Sequence, residues 1–193
     1  MGFGVGASQC LVAPPYVLAA IWMFGCAYYG DKWHIRGPFI IGNACIGMVG
    51  LGLMGFVSNV GARYFGVFLI TTACNANVPC ILTFQANNIR GTLHSAPSHH
   101  LPPSLTRAGQ WKRALCSATL VGTGGIGGII GSTVFRHEDE ETGYKPGMYT
   151  CLIANALIIL ITLSLEWKFK RANKRAASGG KVIEGLEGFR YTY

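Results

Sequence analysis

The chain has 193 residues, 12% of them charged, 27 glycines and a net charge of +8, against roughly a quarter charged in an ordinary soluble domain. The glycines follow no three-residue period and lie inside apolar runs, which excludes a collagen-like or disordered chain. Residues 1–30, 37–62, 64–89, 114–135 and 146–165 carry no Asp, Glu, Lys or Arg, and each offers the roughly 20 apolar residues that cross a hydrocarbon core, so the sequence describes an all-α membrane protein with five transmembrane helices.

Residues 1–10 read as an extracellular N-terminal segment, without the basic stretch that opens a cleavable signal peptide. The first three spans occupy 11–90. Span one covers about Leu11 to Tyr29, with Pro14 and Pro15 suited to a first helical turn because proline brings no N–H to satisfy. A tight loop, Gly30 to Pro38, leads to span two at about Phe39 to Val57. The short link Ser58 to Arg63 then folds span three, about Tyr64 to Phe84, back as an antiparallel hairpin.

Span three carries Asn75, Asn77 and Pro79, with Gln85, Asn87 and Asn88 at its end. Polar side chains at membrane depth face the bundle interior or a wet cavity. Two readings stand for them: hydrogen bonds between helices, or substrate contact by Asn75, Asn77 and Gln85. Pro79 removes a backbone donor and is expected to kink the helix.

Residues 91–108, rich in Pro, Ser and His without apolar period, read as a disordered cytoplasmic insert. The last two spans occupy 109–167. Span four, about Ala114 to Phe135, contains Gly124, Gly125, Gly127, Gly128 and Gly131. A phosphate-cradling loop would need a strand before it and a helix after it, so this run reads as a close helix-packing surface instead. An acidic external loop, Arg136 to Gly147, precedes span five at about Met148 to Leu165, and residues 168–193 form a basic cytoplasmic tail suited to anionic headgroups.

Thirteen of the sixteen basic residues fit one orientation, with the N-terminus outside and the C-terminus cytoplasmic: only Arg63, Arg136 and Lys145 fall outside. Trp33, Trp111 and Trp167 fall at the cytoplasmic ends, where an indole favours the interface. The basic excess therefore reads as topology, with the lipid bilayer as partner and no nucleic acid. The seven cysteines lack metal-ligand spacing, the His99-His100 pair lacks supporting ligands, and no catalytic triad or carboxylate pair appears at membrane depth. No enzyme, no metal and no cofactor are expected.

The stretches APPYVLAAIWMF (13–24), GDKWHIRGPFI (30–40), RYFGVFL (63–69), NANVPCILTFQANNIR (75–90), QWKRALCSATLVGTGGIGGIIGS (110–132), YKPGMY (144–149) and FRYTY (189–193) resemble the C-terminal part of fungal major facilitator transporters of the organic anion:cation symporter type. These include the allantoate, nicotinate, biotin and pantothenate permeases, and the nicotinate-permease-like branch looks nearest. The resemblance implies a twelve-helix transporter with substrate held near the midplane between two halves, of which the five spans correspond to helices 8 to 12. It implies a fragment whose intact parent imports a small organic anion or vitamin at the plasma membrane, with the proton as coupling ion. The fragment alone, lacking the N-terminal half, is expected not to transport.

By the same resemblance, Gly30, Asp31, Arg36 and Gly37 belong to a gating loop whose charges clamp neighbouring helices; a short basic turn that only fixes topology is the other reading. Asn75 and Asn77 lie on the helix that lines the substrate cavity, and the glycines of span four pack across the interface between halves. Relatives resemble an uninterrupted NNIRGQWKRA, so the insert reads as a translated, unspliced intron: Gly91-Thr92-Leu93 can encode GTACGT, Leu105-Thr106 CTAAC and Ala108-Gly109 CAG. A small five-span scaffold associated with full-length permeases is the alternative from another functional class. A soluble dinucleotide-binding enzyme built on the glycine run is a distant third.

Overall fold

A computed structural model describes residues 5–33, 35–89, 103–135, 144–178 and 190–192. Among them run five α-helices, α1 (Val5–Trp33), α2 (Gly37–Phe56), α3 (Val60–Asn88), α4 (Pro103–Val134) and α5 (Lys145–Ala177). All five are long and apolar enough to cross a membrane, in agreement with the sequence. The shortest, α2 with 20 residues, is about 30 Å long at 1.5 Å per residue and matches the hydrocarbon thickness. Residues 136–143 of the acidic loop, 91–102 of the insert and 179–189 of the tail lie outside the described residues, and Lys145 to Gly147 of that loop belong to α5.

All five helices reach beyond the spans expected from charge alone: α2 starts at Gly37 instead of Phe39, α3 runs Val60–Asn88 instead of Tyr64–Phe84, and the other three differ more. First, α1 begins at Val5, so part of the expected external segment is helical and Pro14 and Pro15 lie inside the helix instead of opening it. Pro15 has no N–H for the carbonyl of Leu11, one turn back, and the hydroxyl of Tyr64 on α3 donates to that oxygen at 3.0 Å. A neighbouring helix thus supplies the donor the proline removes, which is how membrane helices tolerate prolines. Tyr64→Phe is expected to lower stability by about 1 kcal/mol, read as thermal unfolding in detergent, because a part-buried acceptor loses its partner.

Second, α4 starts at Pro103, so residues 103–108 of the expected disordered insert are helical. Proline fits a first helical turn, and the residues after it continue the register of the span. Third, α5 continues to Ala177, making the first ten residues of the expected tail helical. Lys, Arg and Ala favour helix, and Lys174 and Arg175 in the last turn complement its negative end.

The α2–α3 hairpin is the centre of the bundle. Asn59 caps α3, its side chain accepting from the Gly61 N–H at 2.9 Å. Further along the hairpin the two backbones touch. A Cβ on Gly66 would lie 2.8 Å from the Gly50 carbonyl oxygen, and one on Gly50 would lie 2.9 Å from that of Gly66. Helix α1 packs on α3, and α5 on α2. Cys26, Ile40, Ala76, Cys80 and Phe84, from α1, α2 and α3, form the buried core cluster, with Ile158, Leu165 and Phe169 of α5 against it.

Helix α4 is peripheral, touching α3 and α5 only lightly. At one end of the bundle Phe135 stands against Gly147, Phe56 tilts against Tyr149 and Met148 presses on Gly55. The opposite end gathers Asp31, Arg36, Asn88, Glu166 and the basic turns of α5, and is called the charged end below.

Candidate functional site

The charged end brings together all four residues expected in the gating loop. Helix α1 ends at Trp33 and α2 begins at Gly37, so Arg36 caps α2 and its side chain turns back toward α1. Its guanidinium pairs with Asp31, and only 4% of the side chain is exposed against 73% for Asp31. Gly30 leaves room for that fold: a Cβ there would lie 3.3 Å from Arg36 Cδ and Nε. Arg36 also lies near Cys80 on α3, so its charge stands where three helices meet. Its Nε is buried without a hydrogen-bond partner.

Gly37 adds a residue that sequence reasoning did not assign to the cluster. A Cβ at Gly37 would fall inside the carboxyl group of Glu166 on α5. Glu166 is 8% exposed, with Oε1 buried and unpartnered and Oε2 3.9 Å from Lys170 Nζ. Its carboxylate rests against the first turn of α2, where the free N–H groups carry partial positive charge. The available signal was an acid standing alone between a long apolar run and a basic one.

The candidate substrate residues are not gathered in the same way. Asn75 and Asn77 are two positions apart, about 200° around a helix of 3.6 residues per turn, and face opposite sides. Asn75 donates to Thr71 O at 2.8 Å on its own helix. Asn77 is 7% exposed and its Oδ1 has no partner; the same holds for Thr72 Oγ1 and for Oε1 of half-buried Gln85. Gln85, without Asn75 or Asn77, lines a cavity of about 430 Å³ between α2, α3, α4 and α5, otherwise walled mainly by apolar side chains such as Ile40, Phe84 and Leu165.

Asn43 was also missed. It is buried on α2, accepts from Trp22 Nε1 at 3.0 Å and lies 4.0 Å from Cys26 Sγ, joining α1 to α2. As the only polar side chain in α2, it was visible in the sequence. Gly124, Gly125, Gly127, Gly128 and Gly131 stand apart from all of this: a Cβ at any of them would meet nothing within 4 Å. Their open face is not used among the described helices. No group of three or more metal-ligating side chains occurs among the described residues.

No family model matches the chain, and no solved structure does either. Similar curated proteins are fungal transporters. The high-affinity nicotinic acid transporter of Saccharomyces cerevisiae is 25% identical over 91% of this chain and 29% of its own length. The MFS-type transporter cnsO of Penicillium expansum is 25% identical over 95% of the chain and 33% of its own length. An uncharacterized transporter of Schizosaccharomyces pombe is 25% identical over 97% of the chain and 35% of its own length. The chain therefore spans about a third of the length of these relatives. Along nearly all of its own length, this multi-pass membrane chain is a homologue of one stretch of fungal transporters, a major facilitator protein among them.

Proposed function

We propose that the chain supplies helices 8 to 12 of a twelve-helix major facilitator transporter, and that the complete protein imports a small organic anion of the nicotinate or allantoate kind across the plasma membrane with protons. The observation that carries this reading is the alignment of 91% of the chain with the nicotinic acid transporter. In this reading the charged end is cytoplasmic, as the distribution of Lys and Arg favours. The Asp31, Arg36, Gly37 and Glu166 cluster then locks α1, α2 and α5 together in one state of the alternating-access cycle. Asp31 and Glu166 are the only acids among the described residues, and both lie at the charged end. Proton coupling through a carboxylate at mid-membrane depth would therefore use the remainder of the protein.

Asn77 is the stronger substrate candidate of the asparagine pair, because its amide has an unpartnered oxygen and can turn its NH2 toward a carboxylate, whereas Asn75 is already bonded to its own helix. The test is uptake of nicotinate, allantoate, biotin and pantothenate by the full-length gene product in a permease-deficient cell. Asn77→Ala at normal surface expression is expected to lower kcat/KM for the transported compound about tenfold or more, and Asn75→Ala by much less. Unchanged kinetics in Asn77→Ala would remove that residue, and no uptake of any organic anion by the parent would remove the reading. The chain alone, reconstituted in vesicles, is expected to show no saturable uptake.

The open glycine face of α4 supports a second reading, in which the chain docks on full-length permeases as a scaffold. Co-purification of the chain with a full-length permease, abolished by Gly127→Leu, would favour it.

A further inference from the structure

Residues 190–192 lie across the charged ends of α3 and α5. The amide of Asn173 on α5 pairs twice with the main chain of Tyr191, donating to its carbonyl at 2.8 Å and accepting from its N–H at 2.9 Å. Asn88, the last residue of α3, accepts from the Thr192 N–H at 2.9 Å and from its hydroxyl at 3.4 Å, while its own NH2 donates to Phe84 O at 2.9 Å. The Tyr191 ring stacks on Phe169 with centroids 4.5 Å apart, and Phe169 tilts onto Phe84 at 5.8 Å. A column of three rings thus runs from the tail through α5 to α3.

The two helices joined here are not packed on each other along their lengths: α3 packs on α1 and α2, and α5 on α2. Between their ends lies the cavity, with Phe84, Asn88 and Phe169 among its walls. The end of α3 that carries Phe84, Gln85 and Asn88 begins just after Pro79, which has no N–H for the carbonyl of Asn75. A proline of this kind is a site of bending, so the segment beyond it can swing relative to the rest of α3.

We propose that the tail segment Arg190–Thr192 is a latch: bound across Asn88 and Asn173, it holds the Pro79-hinged end of α3 beside α5 along the cavity wall, and its release lets that end swing away. Recognition includes the main chain, one hydroxyl and one aromatic ring. The latch does not depend on what the complete protein transports, and its test measures a distance instead of uptake.

The test uses the full chain, with its native cysteines replaced and spin labels placed on Asn87→Cys at the end of α3 and Arg175→Cys at the end of α5. With the tail intact, pulsed electron spin resonance should give one narrow distance distribution. Asn173→Ala combined with Tyr191→Ala removes the paired bonds and the stack, and is expected to lower the ratio of latched to released populations roughly tenfold, with a new component at longer distance. Tyr191→Phe keeps the ring and the main chain and should shift the ratio far less than the double variant. Thr192→Ala, which loses only the long hydroxyl contact, should shift the ratio less. A distribution unchanged in the double variant would overturn the latch, as would equal broadening in Tyr191→Phe. A second label pair at the opposite end, on Val57→Cys and Thr150→Cys, should stay narrow throughout. Broadening at both ends alike would make the tail a general prop and overturn the proposal too.

Discussion

Gly66→Leu is expected to force α2 away from α3 and to destabilise the chain by about 3 kcal/mol or more, the upper range for inserting bulk into a packed interior. The reason is what stands opposite. The atoms nearest a Cβ at Gly66 are the Gly50 carbonyl oxygen at 2.8 Å and the Met54 backbone nitrogen at 3.1 Å. Both belong to the backbone of α2 and cannot rotate aside as a side chain would. Lipid tails give no hydrophobic drive to push helices together, so close backbone approach is what holds such a pair. Gly50→Leu should behave alike. Gly42→Leu and Gly52→Leu are the controls, since a Cβ at either meets nothing within 4 Å, and both should stay within about 0.5 kcal/mol of the parent. Thermal unfolding in detergent distinguishes them, and equal melting of Gly66→Leu and Gly52→Leu would refute the crossing.

Asp31→Ala is expected to cost about 3 kcal/mol, and Arg36→Ala no more than that, although Asp31 is 73% exposed and Arg36 only 4%. The partner left behind makes the difference. Asp31 without Arg36 keeps its water, which solvates the carboxylate, whereas Arg36 without Asp31 is a buried guanidinium that has lost the carboxylate it pairs with. Arg36→Ala instead empties a buried site beside Gly30. Arg36→Lys should restore only part of that loss, because an ammonium lacks the planar fork that meets a carboxylate. A loss under about 1 kcal/mol in Asp31→Ala would mean that the pair acts as an ordinary surface bridge. In the full-length transporter, Arg36→Ala should also lower uptake, as expected of a residue that stabilises one conformational state.

The helices were legible because lipid imposes a blunt rule, twenty or so residues without charge, which composition alone reveals. Their ends were less so. Charge-free runs mark where hydrocarbon lies, whereas helices continue past it, as α5 does through its basic turns to Ala177. Pro14 and Pro15 were expected to open a helix because no sequence signal says that Tyr64, far along the chain, supplies the donor that lets α1 run through them. The loop cluster was legible as a local motif, Gly30 to Gly37. Its remaining member, Glu166, was not, because only folding brings α5 to that loop. The opposite fates of Asn75 and Asn77 follow from rotation about α3, which spacing gives directly once a helix is accepted, but which side faces the bundle depends on the neighbours.

The bare face of α4 has a consequence for how this protein can be handled. Between Gly122 and Gly131 six residues are glycines, each costing about 1 kcal/mol relative to alanine when a helix must form in water. In lipid that comparison disappears, since a peptide group with no water to bond must bond within its own helix. The medium, more than the side chains, therefore holds α4 in shape. Where a detergent shell is thin enough to admit water, the amides of this stretch should be the first within the five helices' apolar spans to exchange their hydrogens, while those of the α2–α3 hairpin remain protected.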